Sequence, residues 1–321
     1  MKKIVVTGGA GFLGSRLIAT LLSVKGHQGY PEFDQIISVD LAPCPLNDNR
    51  IVSMTGDIAD EKFSQQVITS GTVAIYHMAA VLSGQSEDDF DMGMRVNIDG
   101  TRMLLEAARH TKEVPIFIFT SSLAVFGGDM PDIVPEDLAL LPQSSYGAQK
   151  AIGEILVGDY TRKGFIDGRV CRLPTIVVRP GKPNSAASSF ASGIIREPLS
   201  AIRSNNPVPE NTRMWLSSPN IAVKNLAHAL VVKSEKIGSN RVLNLPGLCV
   251  SVAEMLDSLE RIAGKQTRDL VSANPEQRVV DIVCSWPGNF DVKRPLALGF
   301  SYDSDFDSII IQYRDEFVSN I

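Results

Sequence analysis

A chain of 321 residues, 44% hydrophobic and 21% charged, is long for one core, so a larger domain with a smaller appended lobe is the expected division. Its net charge of -5 comes from well-mixed acidic and basic residues, which leaves no basic stripe for nucleic acid. No apolar run approaches a membrane span, and Met1-Lys2-Lys3 leads straight into a strand pattern, so a soluble cytoplasmic protein is expected. The cysteines Cys44, Cys171, Cys249 and Cys284 lack any Cys-x-x-Cys spacing and the histidines form no close pair, which predicts reduced thiols and no metal.

In chain order, β-branched runs at Lys3 to Thr7, Gln35 to Val39, Ile51 to Met54, Val73 to His77, Pro115 to Thr120 and Gly168 to Leu173 read as strands. Helical periodicity falls at Phe12 to Val24, Asp60 to Thr69, Glu87 to His110 and Tyr146 to Arg162. Alternating strands and helices imply an α/β fold, a doubly wound parallel sheet of the Rossmann type with helices on both faces. After Leu173 the character changes, because Pro174, Pro180, Pro183, Pro198, Pro207, Pro209 and Pro219 punctuate a stretch with little periodicity. A helix at Ile221 to Ser234 and a strand at Val242 to Leu245 return to the sheet, and Ser251 with Glu254 opens a further helix as a capping box. The expected division is a nucleotide-binding domain over 1–174, rejoined by 221–249, and a smaller, discontinuous C-terminal substrate lobe over 175–220 and 250–321.

Gly8, Gly11 and Gly14 follow the first strand and open the first helix, a context that raises a glycine pattern to a strong dinucleotide signal. Gly8 permits the tight turn, Gly11 lets the backbone approach a pyrophosphate, and Gly14 lets helix and strand pack closely. With Phe12 and Leu13 the turn aims a helix N-terminus at the phosphates. Asp40 closes the second strand, where a carboxylate accepts hydrogen bonds from the adenosine ribose and repels a 2′-phosphate. Leu41, Ala42 and Pro43 follow it with no arginine, so NAD is favoured over NADP.

Tyr146 and Lys150 are four apart on a helix and share a face, so the ammonium can lie under the phenol and stabilise its anion. Ser122, at the end of the fifth strand, is placed to orient a reacting oxygen. A phenolate beside an oxidised nicotinamide is equipment for removing hydride from an alcohol, with Tyr146 as base. An isolated Tyr-x-x-x-Lys is common by chance; the ordered set of glycine turn, strand-end serine, tyrosine and lysine is what carries the reading.

The order Thr7-Gly8-Gly9-Ala10-Gly11-Phe12-Leu13-Gly14, Gly56-Asp57-Ile58, His77-Met78-Ala79-Ala80, Val96 to Thr101, Thr120-Ser121-Ser122 and Tyr146-x-x-x-Lys150 resembles the extended short-chain dehydrogenase/reductases over roughly the first 180 residues. The resemblance implies that Asp57 and Ile58 flank the adenine and that Ala79 and Ala80 lie along the cofactor. It implies that Asn97 supports the active-site helix and that Asn97, Thr120, Pro174 and Ile176 join the cofactor-binding set. Dimerisation through the helices at 87–110 and 146–162 is also implied, with Met92, Met94, Met103 and Leu104 towards a partner, although an intramolecular core explains such residues equally well.

The same family contains nucleotide-sugar epimerases and dehydratases. Dehydratases place an Asp-Glu pair after the catalytic hydroxyl, where this chain has Leu123 and Ala124, so elimination of water lacks its acid and base. The loop from Arg179 to Pro198 and the segment Arg213 to Asn220 resemble family members that oxidise a four-carbon sugar acid at C2. A small polyhydroxy acid needs a cation for its carboxylate and several hydroxyl or amide groups; Arg179, Lys182, Asn184, Ser188, Ser189 and Arg213 supply those types, with Ser83 a further candidate. Ordinary loop polarity explains any single one of them equally well. The alternatives are a nucleotide-sugar epimerase that retains its cofactor and a non-catalytic NAD sensor, the latter disfavoured because tyrosine and lysine both stand.

Overall fold

Strands buried on both faces need continuous apolar runs rather than alternation, and Ile4-Val5-Val6, Ile36-Ile37 and Phe117-Ile118-Phe119 all lie in the core. The computed structural model describes residues 1–27, 29–182 and 186–318. Its principal strands are β1 (Lys3–Thr7), β2 (Gln35–Asp40), β3 (Ile51–Thr55), β4 (Thr72–His77), β5 (Ile116–Ser122) and β6 (Asp167–Leu173). With the later strand Val242–Asn244 they form one seven-stranded sheet, in the order Val242–Asn244, β6, β5, β4, β1, β2, β3. β1 pairs in parallel with β2 and β4, β2 with β3, and β4 with β5. The strand order reverses between β1 and β4, where Thr7 stands beside His77; in open α/β sheets ligands bind beyond the strand ends at this point. The doubly wound fold expected from the sequence is therefore the one observed.

The associated helices are α1 (Phe12–Ser23), α2 (Glu61–Val67), α3 (Ser83–Asp88), α4 (Phe90–Gly93), α5 (Thr101–Thr111) and α6 (Ser145–Arg162). The single helix expected over 87–110 is broken. Asp89 leaves helical geometry and its carboxylate caps α4 by accepting from the Met92 N–H, after which Met94–Gly100 winds as a π-helix before α5 begins. Such insertions re-aim side chains within a helix. Leu104, expected to face a partner, is instead fully buried in the core against the sheet, in the same cluster as Leu105, Phe117 and Val157.

The chain divides into two compact units: Met1–Ser122 with Ser145–Arg172 and Val223–Leu243, and Leu123–Ser144 with Leu173–Ala222 and Asn244–Ile321. The sequence reading kept 123–144 with the first. Its contacts explain the difference: Phe126 packs on Phe290 with ring centroids 5.8 Å apart, Val134 exchanges backbone hydrogen bonds with Asn289 and Asp291, and Glu136 pairs with Arg294 at 2.6 Å. The second unit carries a three-stranded sheet in which Arg213–Ser217 lies between Thr175–Ile176 and Leu248–Ser251. Its core is built largely from helices Ser189–Leu199, Val252–Ala263 and Phe306–Tyr313. The capping box predicted at Ser251 and Glu254 opens the second of these. Among the described residues no helix is long and apolar enough to cross a membrane, and no group of three His, Cys, Asp or Glu side chains could hold a metal ion.

Candidate active site

The glycine turn leaves β1 with Gly8 at φ +71°, and a Cβ there would come within 2.9 Å of the Ala79 nitrogen. Gly14 is more constrained still, since its Cβ would lie 2.0 Å from the Gly8 carbonyl oxygen. A side chain at Gly8 would collide with the backbone that follows β4, and one at Gly14 would push α1 off the turn. At the start of α1, Gly11 has no side chain to cap the helix, and the first turn, Phe12-Leu13-Gly14-Ser15, carries no acidic residue. Uncapped amides at an uncharged helix N-terminus suit an anionic phosphate. Gly9, which the sequence reading did not single out, is also tight: a Cβ would meet Ser38 Oγ at 2.3 Å.

Asp40 does more than terminate β2. Its Oδ2 accepts from the Ala10 N–H at 3.0 Å and its Oδ1 from the Leu41 N–H at 2.7 Å, so the carboxylate ties the glycine turn to the neighbouring strand. A carboxylate has about four lone-pair sites, which leaves acceptor capacity for a ribose. Asp57 accepts from the Ala59 N–H at 2.9 Å and pairs with Arg95. Burial opposes its charge, but those two partners outweigh burial and hold its carboxyl below the usual range. Ile58 beside it is buried.

Ser122, Tyr146 and Lys150 are brought together in the first unit. Ser122 hydrogen-bonds the Tyr146 phenol, and Lys150 Nζ lies 5.7 Å from the Tyr146 ring centroid and 4.7 Å from that of Phe119. The ammonium donates to the Thr120 carbonyl at 2.9 Å, while Thr120 Oγ1 donates to the His77 carbonyl at 3.0 Å. The expected direction of the phenol shift needs correction. Burial pushes Tyr146 up to about 12, the Ser122 hydroxyl pulling weakly the other way, so the protein alone does not produce the lowering that the helical spacing predicts. The lysine itself is pushed down to about 8 by burial, against the pull of Glu154.

Beneath the turn lies a hydrogen-bonded chain whose proton order can be worked out. Thr101 Oγ1 gives its one proton to the Asn97 carbonyl at 2.6 Å, so it accepts from His77 Nε2–H at 2.8 Å. His77 Nδ1 is then bare and accepts from Thr7 Oγ1 at 2.9 Å, and Thr7 Oγ1 in turn accepts from the Met78 and Ala79 N–H groups at 3.1 and 3.2 Å. The Asn97 amide bonds the Val81 N–H at 2.8 Å, the Val81 carbonyl at 3.1 Å and Gln149 Oε1 at 2.7 Å. Asn97 is buried, and through Gln149 its amide is tied to α6. His77, Thr101 and Gln149 are functional supports that sequence reasoning missed, although His77 and Thr101 stand within the quoted motifs.

Ser83 also belongs to the first unit, where it opens α3 and is buried. Among the described residues, the remaining substrate candidates, with Pro174 and Ile176, belong to the second. The Arg179 N–H donates to Ser192 Oγ at 3.1 Å, and the Arg179 carbonyl accepts from Arg196 Nη1 at 2.8 Å. Arg196, absent from the sequence reading, pairs with Glu197 at 2.5 Å. Burial and the neighbouring Arg196 charge both lower the pKa of Arg179. Ser188 and Ser189 begin the helix Ser189–Leu199. Lys182 is exposed, as is Arg213, whose Nε donates to Cys249 Sγ at 3.1 Å. Asn184 lies outside the described residues.

Comparison with known proteins is consistent across three kinds of match. Residues 5–244 match the model of the 3-beta hydroxysteroid dehydrogenase/isomerase family. The chain is 51% identical to the D-erythronate dehydrogenase of Cupriavidus necator, over 98% of each chain. It is 44% identical to the D-erythronate dehydrogenase of Haemophilus influenzae, over 97% of this chain and 98% of that one. Among solved structures, a nucleoside-diphosphate-sugar epimerase from Agrobacterium tumefaciens superimposes with a TM-score of 0.92 at 36% identity, covering 100% of this chain and 95% of the other. L-threonine 3-dehydrogenase from Trypanosoma brucei shares the fold, with a TM-score of 0.88 at 23% identity, over 98% and 97% of the two chains.

Proposed function

The chain belongs to the 3-beta hydroxysteroid dehydrogenase/isomerase family within the extended short-chain dehydrogenase/reductases and is an NAD-dependent dehydrogenase acting on CH–OH; on that premise we propose that it oxidises D-erythronate at the 2-hydroxyl to 2-oxo-D-erythronate. The observation that carries this reading is the 51% identity to a D-erythronate dehydrogenase along 98% of the chain, joined to a Ser122, Tyr146 and Lys150 constellation suited to alcohol oxidation.

Each residue has a distinct task. Ser122 donates to the reacting oxygen and orients it, and Tyr146 takes the 2-hydroxyl proton as phenolate. Lys150 holds positive charge under the ring and can hydrogen-bond the nicotinamide ribose. When bound, oxidised NAD supplies the acceptor for the C2 hydride at nicotinamide C4 together with a positive charge. That charge matters because a phenol held at about 12 needs more stabilisation of its anion to act near neutral pH. The Gly8 to Gly14 turn would hold the pyrophosphate, Asp40 the adenosine ribose, and Asp57 and Ile58 the adenine. Arg179, Lys182 and Arg213 are the cations the sequence offers for the substrate carboxylate.

The reading is tested by following NADH formation across a panel of aldonates that differ in length and C2 configuration. D-erythronate is expected to give the highest kcat/KM, and no turnover with any aldonate defeats the proposal. A nucleotide-sugar epimerase is the second reading, favoured by the 36% identity to a solved epimerase; it predicts interconversion of UDP-sugars with no net NADH. The ribose assignment for Asp40 predicts that Asp40→Ala weakens NAD and narrows its advantage over NADP, whereas an unchanged cofactor ratio counts against it.

The protein is further proposed to form a homodimer through the helices at 87–110 and 146–162. Phe90, Met92, Ile152 and Ile155 are exposed on these helices at 57%, 37%, 40% and 67%, an apolar surface that a second copy would cover. Ile155→Glu should then shift sedimentation towards the monomer, and a wild-type monomer removes the proposal.

A further inference from the structure

Tyr146, Lys150 and Glu154 follow one another at intervals of four along α6 and so share one face of the helix. Three consecutive residues of β5 hold them. Ser122 bonds the Tyr146 phenol, the Thr120 carbonyl accepts from Lys150 Nζ, and Ser121 Oγ donates to Glu154 Oε1 at 2.5 Å. Glu154 also takes a bidentate pair from Arg172 on β6, with Nε donating to Oε1 at 2.9 Å and Nη2 to Oε2 at 2.7 Å. Both ions are almost inaccessible, Arg172 at 5% exposure and Glu154 at 4%. Proton and hydride removal call on neither. Desolvating two charges costs several kcal/mol per ion, and apolar residues of similar volume often serve stability equally well. A buried pair one turn beyond the lysine therefore points to a role in setting that lysine.

We infer that Glu154 is a positioning residue: clamped by Arg172 and Ser121, its carboxylate keeps Lys150 an ammonium at working pH, seated on the Thr120 carbonyl beneath the Tyr146 ring. This rests on the reading of Tyr146 and Lys150 as the groups that act on the substrate. The charged and titratable groups around the ammonium are Glu154 and Tyr146 on its own helix, Arg172 on β6 behind Glu154, and His77 on β4, which is neutral. Burial pushes Lys150 down to about 8, and the Glu154 carboxylate is the charge that pulls it back up. Removing that carboxylate lets the ammonium lose its proton at lower pH. The phenolate then loses its positive neighbour, and turnover falls off earlier on the alkaline side.

The test is the pH profile of kcat across the neutral to alkaline range in Glu154→Gln, with the circular dichroism spectrum as the check of folding. The alkaline limb is expected to move down by about one pH unit, while a residue of purely structural importance would lower kcat alike at every pH. Because Glu154→Gln leaves Arg172 as a buried, uncompensated cation, the double variant Glu154→Gln with Arg172→Met is measured beside it and should shift in the same direction. An alkaline limb that stays in place in a natively folded variant overturns the proposal. Lys150→Met separates the two levels of the argument: if it remains active, the reading of the site fails. If it is inactive while the limb of Glu154→Gln is unmoved, the role of Glu154 alone fails.

Discussion

Two basic side chains are buried against the same ring, Phe119, and they keep different charge states. His77, 1% exposed, has its centroid 5.6 Å from that ring, and Lys150, 3% exposed, has Nζ at 4.7 Å. The imidazole is bounded by two hydroxyls, and burial, aided by the nearby Lys150 charge, pushes it from 6.5 to about 3. The lysine is bounded by a carbonyl and has a carboxylate one turn away, and it falls only to about 8. Equal burial thus gives a neutral group in one place and a cation in the other. The starting points, 6.5 for the imidazole and 10.5 for the lysine, account for most of that difference and the Glu154 carboxylate adds to it, and the division suits the chemistry: a cation under the phenol, and a neutral brace beneath the glycine turn.

The largest effect should come from the group the cation serves. Tyr146→Phe should lower turnover by about 10²- to 10⁴-fold, the usual worth of a general base, while NAD affinity measured by fluorescence titration stays close to wild type. Equal losses in both would make the tyrosine a structural residue. Next is the pair behind the cation. Arg172→Met leaves Glu154 as a buried, unpaired carboxylate and should cost about 3–5 kcal/mol in urea unfolding. A loss under ~1 kcal/mol would mean that the pair behaves as a surface ion pair despite its burial.

The neutral side of the comparison makes a pH-dependent prediction. His77 binds a proton in the unfolded chain as pH falls through 6.5, but in the folded protein not until about 3. Between those values the unfolded state holds more protons, so stability falls as pH falls, by roughly 1.4 kcal/mol per pH unit. His77→Phe abolishes that slope, at a cost near pH 7 of about 1–3 kcal/mol for the polar groups left unpaired. Urea midpoints at neutral and mildly acidic pH measure both effects. An acid sensitivity identical to wild type would mean that His77 is not the group responsible.

Much of this was legible in the chain because it is local. A strand such as Ile4-Val5-Val6 announces a doubly covered sheet, a glycine turn between strand and helix has few other uses, and the face shared by Tyr146 and Lys150 follows from helical geometry alone. What escaped depends on contacts distant in sequence. Glu154 meets Arg172 across 18 residues, Val134 joins Phe290 by an isolated bridge, and no periodicity marks either. The direction of the Tyr146 shift was misjudged for the same reason: the spacing shows where a charge sits, whereas burial depends on everything packed around the phenol. The break at Asp89 was closer to readable, since an aspartate three residues before a helical N–H is an ordinary cap, but the surrounding apolar residues suggested one continuous helix.

The smallest effects separate the two environments most directly. Thr101 accepts from His77 and donates to the Asn97 carbonyl, so Thr101→Val, similar in volume, strands a donor and an acceptor together and should cost about 1–3 kcal/mol. Ser121→Ala also removes a hydroxyl from a buried network, yet Glu154 Oε1 keeps Arg172 Nε as its donor and both carboxylate oxygens remain bonded. Its cost should be about 1 kcal/mol or less. If holding a charge requires an oppositely charged partner while holding a neutral ring requires each hydroxyl, Thr101→Val must be the more damaging of the two in parallel urea titrations. The reverse order would show that the Glu154 carboxylate depends on the Ser121 hydroxyl as well as on the Arg172 guanidinium.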